Sequence, residues 1–179
     1  MFTSGHNNAS GKGVLYIVDP ADGKLLKKLE TTAGSADTPS GLAQVSGFVI
    51  DYHNQVIEQV YGGDLLGNVW RFDLSSYSEG DFKVEKFAEL KSTDASAQSV
   101  TVAPQIEVDF QNGIDRWVFV GTGRLLHEDD LSDTQSQRMY AMRDGTYKTP
   151  TVITAPLTSS DLDAVAGVAG LGAGVIAAK

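Results

Sequence analysis

Short runs in which apolar and polar side chains alternate recur along this chain, and such alternation is typical of β-strands. Three of these runs contain an aromatic residue and end at an aspartate, over residues 14–19, 68–73 and 138–144. An aspartate at the end of a strand favours a turn, because its carboxylate accepts hydrogen bonds from the backbone just ahead. The shared signature predicts a repeated structural unit.

A second repeated element precedes the last two runs. Residues 59–64 and 117–123 are short apolar and aromatic segments that end in glycine. Gly67-Asn68 and Asn112-Gly113 are pairs that favour tight hairpins between neighbouring strands. The order of strand, tight turn, strand and longer loop repeats roughly every 50 to 70 residues, near the spacing of four-stranded propeller blades.

These patterns predict an all-β fold, a partial β-propeller of about three four-stranded blades. A β-sandwich also gives strands with regular turns, but the recurrence of one strand signature favours the propeller. We expect residues 1–157 to form part of a larger ring, with exposed blade faces that favour self-association. An N-cap pattern at residues 158–161 predicts one short C-terminal helix near 160–169, followed by a Gly/Ala-rich tail to residue 179.

Charge and composition narrow the function. The chain has 14 Lys+Arg against 23 Asp+Glu, a net charge of −9, which disfavours nucleic acid and is compatible with cation binding or plain solubility. It has no cysteine, which excludes disulfides and thiolate metal sites. The apolar stretch 165–178 is too short to span a bilayer, and the first residues lack a signal-peptide pattern.

Residues 61–74 carry a specific resemblance. They read YGGDLLGNVWRFDL, which resembles the hallmark run "YAGDLLGNLWRFDL" in the C-terminal propeller of the type IV pilus tip-associated proteins, the PilC/PilY family. Segments 15–29, 118–124 and 131–144 resemble other family segments in the same order. The likeness extends over about residues 12–160.

The resemblance implies a quinoprotein-like propeller within a longer exported protein, at the pilus tip, cell surface or outer membrane of a Gram-negative bacterium. The implied role is non-catalytic, in pilus biogenesis and surface adhesion. The implied partners are pilus subunits or minor pilins and a surface or host ligand. Two alternatives stay open, a periplasmic quinoprotein-like dehydrogenase and an outer-membrane assembly scaffold of similar fold.

The resemblance also raises calcium binding, since many members carry a loop of the form D-x-D-x-D-G-x-x-D just before the hallmark strand. Here that place offers oxygen ligands at Asp51, Asn54 and Glu58, but the alternation is broken and Gln55 replaces the glycine. The segment is therefore interpreted either as a degenerate calcium loop or as a plain turn between strands. No other cofactor is expected.

The remaining candidates each have a structural interpretation. The acidic run 127–130, with Asp133 nearby, suits a divalent cation or a solvated loop. Trp70 and Trp117 are expected in the core, with exposed binding anchors as the alternative. No Ser-His-Asp arrangement or histidine metal spacing is present, so the sequence predicts that the protein is not an enzyme.

Overall fold

The computed structural model describes residues 1–76, 78–111, 113–165 and 175–178. Within them the chain is all-β, as predicted, and three short 3-10 turns occur at Glu79–Asp81, Glu128–Ser132 and Ser159–Asp161. No helix in the described part of the chain is long and apolar enough to cross a membrane. The strands are β1 (Phe2–Thr3), β2 (Val14–Val18), β3 (Leu25–Glu30), β4 (Val45–Val49), β5 (Ile57–Gly63), β6 (Asn68–Asp73), β7 (Lys83–Glu89), β8 (Gln105–Asp109), β9 (Asp115–Gly121), β10 (Met139–Thr146), β11 (Leu157–Thr158), β12 (Leu162–Val165) and β13 (Val175–Ala178).

The strands form three sheets, which we call the first, second and third blades. The first blade has the order β1-β2-β3. The second is the antiparallel meander β4-β5-β6-β7, with β11 added parallel to β7. In the third, the antiparallel strands β8-β9-β10 are extended by β13, which runs parallel to β10, and by β12. The predicted partial propeller of about three blades is confirmed, although the first blade has three strands and the other two have five, where four each were expected.

The second blade is buried on both faces because its strands carry large apolar residues in both alternating sets. In β6, Trp70 and Phe72 pack toward the first blade and Val69 packs toward the third. Successive side chains of a strand point to opposite sides of the sheet, so this strand contributes to two separate cores. Such burial on both sides is what a central propeller blade requires.

Two apolar clusters hold the blades together. The first interface, between the first and second blades, consists of Leu15, Leu29, Leu42, Val60, Trp70, Phe72 and Leu74. The second interface, between the second and third blades, consists of Phe48, Tyr61, Val69, Phe87, Ala88, Leu90, Val100, Val118, Val120, Tyr140, Met142 and Leu162. Removing this apolar surface from water provides the main attraction between neighbouring sheets.

Both predicted hairpins are present, but their connections are longer than the two-residue loops expected: residues 64–67 join β5 to β6, with Asn68 already in β6, and residues 110–114 join β8 to β9. In the first, Gly63 pairs with Val69, and Gly67 adopts φ +77° in the turn. A Cβ at Gly67 would lie 2.4 Å from the carbonyl oxygen of Leu90, so only glycine fits. In the second hairpin, Asp109 pairs with Asp115 across the connection between β8 and β9.

The predicted C-terminal helix is wrong within the described residues. The N-cap pattern does form a capping box between Thr158 and Asp161, but it supports only the single 3-10 turn Ser159–Asp161. The chain then continues as β12, which pairs antiparallel with β13, and Leu162 is buried in the second interface. Pairing with a neighbouring strand satisfies the backbone where a glycine-rich helix is weak. Residues 166–169 of the predicted helix lie outside the described residues.

Candidate functional site: the loop end of the blades

The longer connections gather at one end of the sheets. Because neighbouring strands of the second blade are antiparallel, the connections that follow β5 and β7 leave the sheet at the same end. Backbone hydrogen bonds join them to the adjacent connections: Leu65 N donates to Ser40 O at 2.9 Å, Val100 N to Asp64 O at 2.9 Å, and Gly123 N to Ser99 O at 2.7 Å. We call this assembly, formed by residues 31–44, 64–67, 90–104 and 122–138, the loop end.

Asp64 organises the centre of the loop end. Its buried carboxylate accepts hydrogen bonds from the backbone of Leu66 and Asn68, both at 2.9 Å. It also accepts from Asn68 Nδ2 and Trp70 Nε1, both at 2.8 Å. Burial raises the pKa of Asp64, and these four hydrogen bonds oppose that shift. The run 61–74 therefore encodes a hairpin in which one carboxylate is satisfied by its own turn.

A charged network crosses the second interface. Arg71 on β6 donates from Nη1 to Asp144 Oδ1 at 2.6 Å, and from Nη2 to Glu85 at 2.9 Å and to Thr151 O at 2.8 Å. The Tyr61 hydroxyl donates to Asp144 Oδ2 at 2.5 Å. Burial and the Asp144 charge raise the pKa of Tyr61, so its hydroxyl stays protonated. The network ties the second blade to the end of β10 in the third.

Arg116 adds a second buried guanidinium to this network. It donates from Nη1 to Gln59 Oε1 at 3.0 Å and to the Tyr61 hydroxyl at 3.1 Å, and from Nη2 to Tyr147 O at 2.9 Å. Its Cζ lies 3.9 Å from the centroid of the Phe48 ring, a cation–π contact. The residue is fully buried. We expect this set of contacts to fix the relative position of the two blades.

A polar cleft lies at the loop end, between the connections that follow β7 and β9. Its volume is about 540 Å³, and we call it the blade-junction cleft. Gln135 Nε2 spans the two connections, donating to Ser96 Oγ at 2.6 Å and to Ala97 O at 3.1 Å. Gln98 Nε2 donates to Ser136 O at 2.7 Å, and Tyr140 donates to Gln98 Oε1. Hydrogen bonds therefore hold both walls of the cleft in place.

The connection 122–138 is held by Asp130, within the acidic run noted in the sequence. Its carboxylate accepts hydrogen bonds from Leu126 N at 2.8 Å, His127 N at 3.0 Å and Arg124 Nε at 2.8 Å. The Leu126 amide and Arg124 lower the pKa of Asp130 to about 2. Asp130 therefore caps its own loop, while Asp129 stays exposed.

Comparison with known proteins agrees with this architecture. Residues 2–165 match the family described as the PilY1 beta-propeller domain. The chain belongs to this family. It is 26% identical over 162 residues to a type IV pilus biogenesis factor PilY1 homolog of Xylella fastidiosa, and 29% identical over 164 residues to type IV pilus biogenesis factor PilY1 of Pseudomonas aeruginosa strain PAO1. These matches cover 80% and 79% of this chain but only 11% and 14% of the relatives.

A solved structure shows the same fold. The crystal structure of the Pseudomonas aeruginosa PilY1 C-terminal domain superimposes with a TM-score of 0.69 at 24% sequence identity. The match covers 90% of this chain and 37% of that domain. The resemblance to the PilC/PilY family and its propeller is confirmed. This chain spans about a seventh or less of the length of the two full-length relatives.

In this PilY1-family propeller the predicted calcium ligands lie away from the loop end. Asp51 and Asn54 share the turn between β4 and β5, at the opposite end of the second blade, and Glu58 lies in β5. Asp51 Oδ1 accepts from His53 N at 2.9 Å, and Asn54 Oδ1 accepts from Val56 N at 3.0 Å. No group of three or more His, Cys, Asp or Glu side chains is arranged to hold a metal in the described ranges. Calcium binding by Asp51, Asn54 and Glu58 stays a prediction.

The two tryptophans have different environments. Trp70 is buried in the first interface, as predicted for a core residue. Trp117 is only half-buried, on the face of β9 that points away from the second interface, where it lines a shallow groove with Phe119 and Ala141. Side chains of β9 point alternately to its two faces, and Arg116 and Val118, on either side of Trp117, occupy the buried face.

Sequence reasoning missed the network around Arg71 and Asp144. The strand pattern predicts only a turn at Asp144, whereas its carboxylate reaches back across the blade interface. An arginine inside an otherwise apolar strand, as at Arg71, was the available signal, since a buried cation needs an anionic partner. The residues that line the blade-junction cleft carry no motif, because they come from two separate connections.

Proposed function

We propose that this propeller segment is a non-catalytic scaffold in type IV pilus biogenesis whose loop end also contributes to surface adhesion. The observation that carries the proposal is the family match over residues 2–165, together with relatives named as type IV pilus biogenesis factors. A protein with this role is exported and lies at the pilus tip or cell surface of a Gram-negative bacterium. Its expected partners are pilus subunits or minor pilins and a surface or host ligand.

The architecture supports a scaffold role. Two interfaces and a buried charged network hold the three blades in fixed positions. The connections at the loop end are cross-linked by hydrogen bonds, so they present a rigid surface to a partner. Rigid surfaces bind with less loss of conformational entropy than mobile loops. Binding residues are commonly placed on loops that a rigid framework positions.

The buried titratable groups support a non-catalytic role. Tyr61 and Asp64, whose pKa values are raised by burial, both have hydrogen-bond partners inside the fold. Asp130, whose pKa is lowered, caps its own loop. Catalytic acids and bases are instead expected in a cleft where they reach a substrate. The hydrogen bonds of Tyr61, Asp64 and Asp130 therefore stabilise the fold.

The test of the biogenesis role is deletion of the region encoding this chain from the chromosomal gene, with complementation by the intact gene. We expect fewer surface pili by electron microscopy and reduced twitching motility, with both restored by complementation. Unchanged pilus numbers and motility would contradict the proposal. Adhesion is scored on cells with equal numbers of pili, so that a binding defect is separated from an assembly defect.

The dehydrogenase alternative has a direct assay. The purified protein is incubated with a soluble quinone cofactor, calcium, alcohol or sugar substrates and a redox dye. If the protein is a scaffold, we expect the dye to be reduced no faster than in the same mixture without protein. Sustained turnover would contradict the non-catalytic role.

A further inference from the structure

The blade-junction cleft, together with the cavity beside it, is large enough for an extended ligand. Its volume is about 540 Å³, within the range of roughly 300–1,000 Å³ typical of ligand sites. A neighbouring cavity of about 400 Å³ shares Ser92 and Thr93 with it. The two cavities therefore adjoin along the connection that follows β7, and one chain of several linked units has room to occupy both.

The lining is almost wholly polar. Hydroxyl, amide and carboxylate side chains predominate, and Ala97 is the only aliphatic side chain among the described residues that line the main cleft. Peptides that bind as helices or polyproline segments need an apolar or aromatic groove, and peptides that add to a sheet need a free strand edge. Loop residues line this cleft instead, so it favours a ligand rich in hydroxyl groups.

The charges in the main cleft disfavour an anionic ligand, whereas the adjoining cavity is lined by Arg138 and by Lys91, which pairs with Glu89 at 2.7 Å. Arg124 is paired with Asp130, with Nη2 at 2.7 Å and Nε at 2.8 Å from Oδ1. The other charged side chains that line the cleft are Asp94 and Asp133, both negative, in a chain of net charge −9. Like charges repel phosphates, sulfates and carboxylates. A neutral ligand avoids this repulsion.

Hydrogen-bonding capacity remains on the cleft wall. Asp94 accepts hydrogen bonds on Oδ1 from Ser92 Oγ, Ser96 N and Ser96 Oγ. No residue in the described part of the chain donates to Oδ2, which can accept from a ligand hydroxyl. Gln137 Oε1 is buried and has no hydrogen-bond partner among the described residues. Gln137 Oε1 has no surface open to the cleft, so the acceptor that a ligand can reach is Asp94 Oδ2.

From this size, polarity, charge and free acceptor capacity, we infer that the blade-junction cleft binds a neutral oligosaccharide. Sugar hydroxyls donate to Asp94 Oδ2 and accept from the hydroxyl and amide groups around it. The hydrogen bonds that fix the walls reduce the entropic cost of binding. This inference names the ligand class for the adhesive part of the proposed function and rests on it.

The test begins with the purified, fluorescently labelled chain on an array of neutral, sialylated and sulfated glycans, followed by isothermal titration calorimetry with the best neutral glycan. Thr93→Trp places an indole at the boundary of the two cavities, where Thr93 is exposed. Thr149→Trp is the matched control, because Thr149 is also exposed but follows β10 at the opposite end of the sheet. We expect Thr93→Trp to weaken binding at least tenfold and Thr149→Trp to leave it unchanged.

Asp94→Asn gives a second readout that does not depend on blocking the cleft. Asp94 is exposed and the change is isosteric, so the variant should fold, and we expect it to weaken glycan binding several-fold. Four results would overturn the inference: no glycan bound, equal binding by the two tryptophan variants, a preference for acidic glycans, or binding of a peptide library in the cleft with no glycan bound.

The same variants separate this inference from the proposed function. A strain carrying Thr93→Trp should keep wild-type numbers of surface pili, because Thr93 is exposed and lies outside both blade interfaces. Failure to bind glycans therefore overturns the cleft inference alone. Pilus numbers that are insensitive to deletion of the whole segment overturn the proposed function.

Discussion

The ion pair between Arg71 and Asp144 gives the most quantitative prediction, and the change that tests it is Asp144→Ala. The Arg71 side chain is 3% exposed and that of Asp144 is 0% exposed, with 2.6 Å between Nη1 and Oδ1. Removing the carboxylate also takes away the acceptor for the Tyr61 hydroxyl and for Thr151 N, which donates at 3.0 Å. Three donors at the second interface lose their partner in one step.

The expected loss of stability is large. Removing one member of a buried ion pair costs roughly 3–5 kcal/mol, because the remaining charge stays buried without compensation. Arg71 keeps Glu85 as a partner at 2.9 Å, which limits the loss, but the buried Arg116 also loses Asp144, which lies 4.0 Å away, so the expectation stays at about 3–5 kcal/mol. Native domains have a free energy of unfolding of about 5–15 kcal/mol, so the variant would lose a substantial part of its stability.

Urea unfolding of the purified chain, followed by tryptophan fluorescence, measures this loss. Asp115→Ala is the matched control, because Asp115 pairs with Arg143 at 2.8 Å but the two side chains are 23% and 45% exposed. An exposed pair of this kind contributes about 0–1 kcal/mol. If Asp144→Ala cost no more than Asp115→Ala, the network would not hold the blades together, and the reasoning would be refuted.

Two further predictions concern the loop end. Gly67→Ala should lower the free energy of unfolding, measured by urea titration, by at least about 2 kcal/mol. A positive φ strains alanine by roughly 1–2 kcal/mol. In addition, the new Cβ would lie 2.4 Å from the Leu90 carbonyl oxygen. Gly23→Ala, at φ +75° with open space around it, should lose only the strain, and equal losses for the two variants would contradict the packing explanation. Asp130 has its pKa lowered to about 2, so it stabilises the fold above the unfolded value near pH 4 and loses that contribution as pH falls toward 2. Asp130→Asn should therefore flatten the fall in stability between about pH 4 and pH 2, and an unchanged acid dependence would exclude Asp130 as the group responsible.

The blades could be predicted from the sequence because local signals specify them. Short apolar and aromatic runs ending at an aspartate marked β2 and β6, and Gly67-Asn68 and Asn112-Gly113 marked the places where hairpins connect neighbouring strands. A recurring strand signature then indicated repetition. Local chemistry was sufficient wherever the interacting residues are adjacent in sequence.

The prediction of a C-terminal helix is wrong because contacts with another strand determine the structure there. Its N-cap signal at Thr158 and Asp161 is correct, but a cap specifies where a helical turn begins and not how long it lasts. The following residues pair as β12 with β13, and Leu162 packs in the second interface. Tertiary pairing overrode a weak local preference.

The cleft and the charged network depend on contacts between distant parts of the chain. Arg71 and Asp144 are 73 positions apart, and Gln98 reaches Ser136 across 38 positions. Alternation shows which face of a strand a residue occupies, but it does not show which residue of the next blade lies opposite. Such pairs follow only from the packing of the blades.

The central claim is that the second blade is covered on both faces by its neighbours, so that adjacent residues of β6 contact different sheets. Isotope-edited NOE spectra of the purified chain test it most directly. The account predicts NOEs from the Trp70 and Phe72 rings to Leu15 and other methyl groups of the first interface, and from the Val69 methyls to those of the second. Inter-sheet NOEs confined to one face of β6, with the other face in contact only with solvent, would contradict it.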